Sequence, residues 1–69
     1  MNDTVYKLID VVGTSSMNLE DAIQNAVAKS AESVRNMSWF EVSEIRGRID
    51  EGGVAQSQVT VRIGFAVGR

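Results

Sequence analysis

The chain contains no cysteine and no histidine. That excludes disulfide staples and any zinc centre built from Cys and His. Aromatic residues are scarce: one Trp, one Tyr and two Phe. No apolar run is long enough to span a bilayer, and Met1–Thr4 shows no signal-peptide pattern. A cytoplasmic location, away from any membrane, is therefore expected. Positive charge is also in short supply. Seven Lys and Arg are scattered along a chain of net charge −2, which argues against nucleic acid as the main partner. A few arginines can still grip one small phosphate.

With 69 residues, the sequence predicts one domain over residues 1–69. A domain of this size buries only about 60 % of the surface its unfolded chain exposes. Such domains usually need a staple. Covalent and Cys/His metal staples are absent here, so oligomerisation or a bound ligand is the remaining route.

Thr4 to Val12 is rich in β-branched and aromatic residues and reads as a strand. Tyr6, Leu8 and Val12 lie on one face, and Val5, Ile9 and Val11 on the other. Both faces are largely apolar, so the strand is expected to be covered on both sides, partly by another subunit. Gly13 to Ser16 is expected to break it. Asn18 is the expected N-cap of a helix with Glu20 and Asp21 in its first turn, where acids suit the helix dipole. Leu19, Ile23, Ala26, Val27, Ser30, Ala31 and Val34 form its apolar stripe. Asn36 can adopt a left-handed conformation and end the helix.

A second strand starts near Met37. Its core phase runs Phe40 and Val42, then Ile45 and Ile49. That change from even to odd requires a bulge or bend around Ser43-Glu44. Asp50-Glu51-Gly52-Gly53 is a tight turn. In the third strand Val59, Val61, Ile63, Phe65 and Val67 alternate with Gln58, Thr60, Arg62, Gly64 and Ala66, the odd face packing on the helix. The expected fold is α+β, in β-α-β-β order, with a three-stranded antiparallel sheet curled around one helix.

Trp39 falls on the face opposite Phe40 and Val42. A large aromatic on the polar side of a small sheet is costly to leave wet, so it marks a ligand or a partner. Arg46 and Gln58 project from the same side. An indole offers a stacking surface, an amide offers a donor and an acceptor, and a guanidinium offers a fork for phosphate. Together they suit a flat heteroaromatic ligand with an anionic tail. Each also has a plainer reading: Trp39 as a subunit contact, Gln58 as a solvated side chain, Arg46 as an ion-pair partner.

Val12-Gly13-Thr14-Ser15, Ala22-Ile23-Gln24-Asn25-Ala26, Trp39-Phe40-Glu41-Val42, Glu44-Ile45-Arg46-Gly47, Gln58-Val59-Thr60-Val61 and Gly64-Phe65 follow one another at characteristic spacing. This ordered set, covering Val5 to Phe65, resembles the dodecins, small flavin-binding proteins of bacteria and archaea. The resemblance implies a hollow homododecamer of tetrahedral symmetry, in which two flavins stack between two tryptophans at a two-fold axis. Trp39 matches that tryptophan. Gln58 matches the glutamine that hydrogen-bonds the flavin's pyrimidine edge. Arg46 matches an arginine near the FMN phosphate, and Glu44 an acidic position near the ribityl chain. The bacterial-type pattern favours FMN over riboflavin. Ser57 departs from an aromatic common before the glutamine. Ala66 replaces an arginine that some members link to coenzyme A, which puts coenzyme A binding in doubt.

The resemblance implies storage and photoprotection of flavin rather than turnover. Three other functions are open on the residues alone. A flavoenzyme would lack an evident proton donor beside the ring. A scaffold oligomer would use Trp39 as an interface anchor. Acidic residues could line pores and hold metal ions, but no carboxylate spacing identifies a site.

Overall fold

The computed structural model describes residues 3–68; Met1 and Asn2, part of the Met1–Thr4 reading, lie outside them. The described elements are β1 (Val5–Ser15), α1 (Leu19–Ser30), β2 (Met37–Asp50) and β3 (Gly53–Val67). The three strands form one antiparallel sheet of order β1-β3-β2. The expected α+β class and β-α-β-β order hold. Among the described residues, no helix is long and apolar enough to cross a membrane.

β3 occupies the centre because its alternation is the most regular. Its odd positions Val59, Val61 and Ile63 are buried, with Ala22 and Ala26 of α1 packed over them. Ile9, Val11, Ile23 and Met37 border this core. The alanines matter sterically: a helix face of small side chains lets the helix backbone approach the sheet.

Gly13 shows how close that approach is. The strand does not break at Gly13, as the sequence suggested, but continues to Ser15, with Gly13 paired to Val59. A Cβ on Gly13 would collide with the Ala22 carbonyl and lie 2.8 Å from the Ala26 Cβ. This glycine is a docking notch for α1 rather than a strand breaker. Gly13→Ala is expected to cost roughly 1–3 kcal/mol, the usual penalty for overpacking. The check is the thermal midpoint of the assembled protein; an unchanged midpoint would mean that α1 shifts at no cost.

Asn18 caps α1 as expected, its Oδ1 accepting from the Asp21 amide at 2.7 Å. Ser15 Oγ donates to Asp21 Oδ2 at 2.8 Å and accepts from the Met17 amide at 2.9 Å, tying the end of β1 to the first helical turn. Two details of the helix reading are corrected. Its buried line is Ala22, Ala26 and Ser30, flanked by Ile23 and Val27, while Leu19 stays exposed. The helix also stops earlier, at Ser30, with Ala31 as its C-cap. Asn36 is left-handed, at φ 64°, but it turns the chain into β2. Its carbonyl accepts from the Ala66 amide at 3.1 Å.

The bulge required by the phase change in β2 is present: the register against β3 shifts between Val42 and Glu44. Two more irregularities occur, between Met37 and Trp39 and between Arg48 and Ile49. Glu51 (φ 51°) and Gly52 (φ 80°) make the tight turn, with positive φ at both central positions, as hairpin twist favours.

The core phase of β2 has the expected orientation, since Phe40, Val42 and Ile45 face Ile63, Val61 and Val59 across the sheet. It does not have the expected burial. Ile45 is 61 % exposed and Ile49 76 %, because α1 packs on β1 and β3 only. One helix is too narrow for three long strands. On the opposite sheet face, Tyr6, Leu8 and Val12 are also exposed. Large apolar side chains thus stand uncovered on both sides of the sheet, as expected of a chain that packs against other copies.

Candidate functional site

The face of the sheet away from α1 carries all four residues singled out in the sequence. Trp39 pairs with Gly64, Glu44 with Thr60, and Arg46 with Gln58. Between the Trp39 and Glu44 rungs, Glu41 pairs with Arg62, which in turn pairs with Asp10 of β1.

Trp39 is held in place by two residues that sequence reasoning missed. Its indole occupies the space a Cβ on Gly64 would need, with Trp39 Cδ2 2.8 Å from that position. Tyr6 meets it edge-on, the ring centroids 5.9 Å apart and the planes at 63°. That is the favoured edge-to-face geometry of an aromatic pair. Despite both contacts Trp39 remains 40 % exposed. An indole seated on backbone, braced at one side and open to solvent elsewhere is a preformed stacking surface. Gly64 was legible as the one even position of β3 without a side chain, and Tyr6 as the aromatic on the outward face of β1. A groove of about 210 Å³, lined by Val27, Met37, Ser38, Trp39, Phe40 and Ile63, flanks the Trp39 end of β2.

The polar residues gather further along the sheet. Arg46 Nη2 donates to Glu44 Oε1 at 2.6 Å and to Thr60 Oγ1 at 2.9 Å. Gln58 Nε2 donates to Gln56 Oε1 at 3.0 Å. Thr60, which the sequence reading placed on this face without a role, and Gln56, which it passed over, are further members of this row.

The structure therefore brings Glu44, Arg46 and Gln58 together, but it does not bring Trp39 to them. Gly64 and Gln58 are six residues apart on β3, which is about 20 Å at the rise of an antiparallel strand. That exceeds the length of a fused three-ring heterocycle. The interval holds an ionic crosspiece. Arg62 donates to Asp10 through Nε at 3.0 Å and Nη2 at 3.4 Å, and its Nη1 lies 3.7 Å from Glu41 Oε2. The hydrogen bond and charge of Asp10 raise the Arg62 pKa above its already high value, so Arg62 stays cationic throughout. Among the described residues, no group of three or more His, Cys, Asp or Glu side chains converges as a metal site would require.

Comparison with known proteins agrees with this architecture. Residues 5–68 match the family profile described as Dodecin. A dodecin from Thermus thermophilus is 51 % identical over 61 residues, covering 88 % of each chain. A protein named calcium dodecin, from Mycobacterium tuberculosis, is 31 % identical over 62 residues, covering 90 % of this chain and 87 % of its own. The solved structure of dodecin from Streptomyces coelicolor superposes with a TM-score of 0.92 at 38 % identity, covering 100 % of this chain and 99 % of its own. A dodecameric assembly fits both these relatives and the uncovered apolar faces. The chain belongs to the dodecin family.

Proposed function

We propose that this protein binds and stores flavin, FMN in preference to riboflavin, in a cytoplasmic homododecamer. The whole chain, residues 1–69, acts as the repeating unit. The carrying observation is the half-open indole of Trp39, seated on Gly64 and braced by Tyr6. In this reading two flavins stack between the Trp39 residues of two subunits. Gln58 hydrogen-bonds the pyrimidine edge, and the Arg46 fork takes the phosphate. Glu44 lies near the sugar-alcohol chain. In this reading each site is composite, the indole and the amide contributed by different copies, which the interval of about 20 Å along β3 favours.

An indole in close contact with an excited flavin passes it an electron and recovers it, which quenches fluorescence and limits photochemistry. That suits storage and photoprotection rather than catalysis, and no enzymatic step is proposed. Coenzyme A is not proposed as a ligand, because Ala66 supplies no charge for it.

The test is a fluorescence titration of ligand-stripped, assembled protein into FMN. Strong quenching that saturates near one flavin per subunit is expected. No quenching at micromolar protein would favour the second reading, a scaffold oligomer in which Trp39 anchors an interface. That reading draws on the apolar residues exposed on both sheet faces. Arg46→Ala provides a second test. It is expected to weaken FMN roughly ten-fold more than riboflavin, the usual worth of a hydrogen bond to a charged group. Equal losses for the two flavins would remove Arg46 from the phosphate site.

A further inference from the structure

Arg46 is already engaged. Its Nη2 serves two acceptors at once, the Glu44 carboxylate at 2.6 Å and the Thr60 hydroxyl at 2.9 Å. The register shift between Val42 and Glu44 creates this arrangement. Without the bulge, regular alternation from Val42 would carry Glu44 and Arg46 to the helix side. The bulge therefore delivers a carboxylate and a guanidinium together to the open face, two residues apart on one strand. Thr60 supports the guanidinium from the next strand as a neutral acceptor.

We propose that Glu44 sets how strongly the site prefers a phosphorylated flavin over its dephosphorylated form, by competing with the phosphate for Arg46. The inference rests on the flavin reading above. Carboxylate and phosphate seek the same N–H donors. To pair with a phosphate through both arms of its fork, Arg46 must release Nη2 from Glu44 or hold two anions side by side. Either course costs affinity for FMN. The terminal hydroxyl of riboflavin makes no such demand. Glu44 is thus a specificity-determining residue that narrows the gap between the two flavins, since specificity is a difference of two affinities. Both members of the pair are solvent-exposed, which keeps the effect moderate.

The experiment titrates FMN and riboflavin separately into stripped, assembled wild-type protein, E44Q and E44A, and compares the ratio of the two dissociation constants. The ratio cancels any loss common to both ligands. Glutamine keeps an acceptor but surrenders the charge, which roughly halves such a bond; alanine removes it. The FMN preference is expected to rise from wild type to E44Q to E44A, reaching roughly two- to five-fold above wild type, the upper part of the range for an exposed ion pair. In an R46A background the rise should shrink to less than half. Glu41→Gln, which removes a charge from the same face beside Arg62 instead, should leave the ratio in place. An unchanged or reduced ratio in E44Q and E44A would overturn the proposal and leave Glu44 a common contact for both flavins. A rise that survives R46A, or that E41Q reproduces, would also overturn it, because general repulsion would then suffice. Failure of both flavins to bind the wild-type protein would overturn the flavin reading itself, and this inference with it.

Discussion

Trp39→Ala is expected to weaken FMN binding by at least roughly 100-fold and to leave the residual bound flavin brighter. The size follows from one ring face. An aromatic of about 200 Å² offers about 100 Å² on the side that meets a ligand. Covering that area contributes about 2.5 kcal/mol at 25 cal/mol per Å². Stacking adds ~0.5–1.5 kcal/mol beyond burial. The sum of about 3–4 kcal/mol corresponds to two to three decades in affinity. Brightness separates this from a general loss of fit, because the indole is the electron donor that this reading stacks on the flavin. Trp39→Phe should therefore recover part of the affinity while the bound flavin stays brighter than in the wild type. Unchanged affinity in Trp39→Ala would place the flavin elsewhere and return Trp39 to the role of an interface anchor.

The shared face of the candidate residues was legible in the sequence through strand alternation. Trp39, Glu44, Arg46 and Gln58 do share one face, because a period of two leaves no choice once the bulge near Ser43 is recognised. The bulge was recoverable from the shift of apolar residues from Phe40 and Val42 to Ile45. Distance along the strand was the weaker part. Residues on one face look like one constellation in a sequence, yet the Trp39 and Gln58 rungs are separated by the Arg62 crosspiece. Gly13 and Gly64 were misjudged or overlooked for a related reason. A glycine in a strand can mean a break, a bulge or a close approach. Here α1 approaches at Gly13 and the indole at Gly64, and neither neighbour is adjacent in sequence. The helix end failed differently. Ala31 and Val34 continue the apolar period past Ser30, but the chain must turn by Asn36 to enter β2, so sheet geometry overrode periodicity.

An assembly-defective variant should lose most flavin affinity even with Trp39 intact. Nanomolar binding requires about 12 kcal/mol, and association alone costs an estimated 4–15 kcal/mol. One indole face, at about 3–4 kcal/mol, falls far short. In the proposed composite site the missing contributions come from other copies: a second covered ring face, and an amide whose rung lies about 20 Å along the strand from that of the indole in its own chain. Ile45→Asp is the variant of choice, because Ile45 stands exposed on the helix side where α1 does not reach. A carboxylate there is tolerated by a lone chain but costly when buried without a partner in an interface. Light scattering should report loss of the assembly, circular dichroism should report retained β structure, and FMN affinity should fall by more than roughly 100-fold. If Ile45→Asp still assembles, Leu8→Asp tests the opposite face of the sheet, where Leu8 is also exposed. A folded monomer that binds FMN as tightly as the assembly would refute a composite site. The flavin would then have to be held by Trp39 and its groove within one chain, and the polar row at Arg46 and Gln58 would need another purpose.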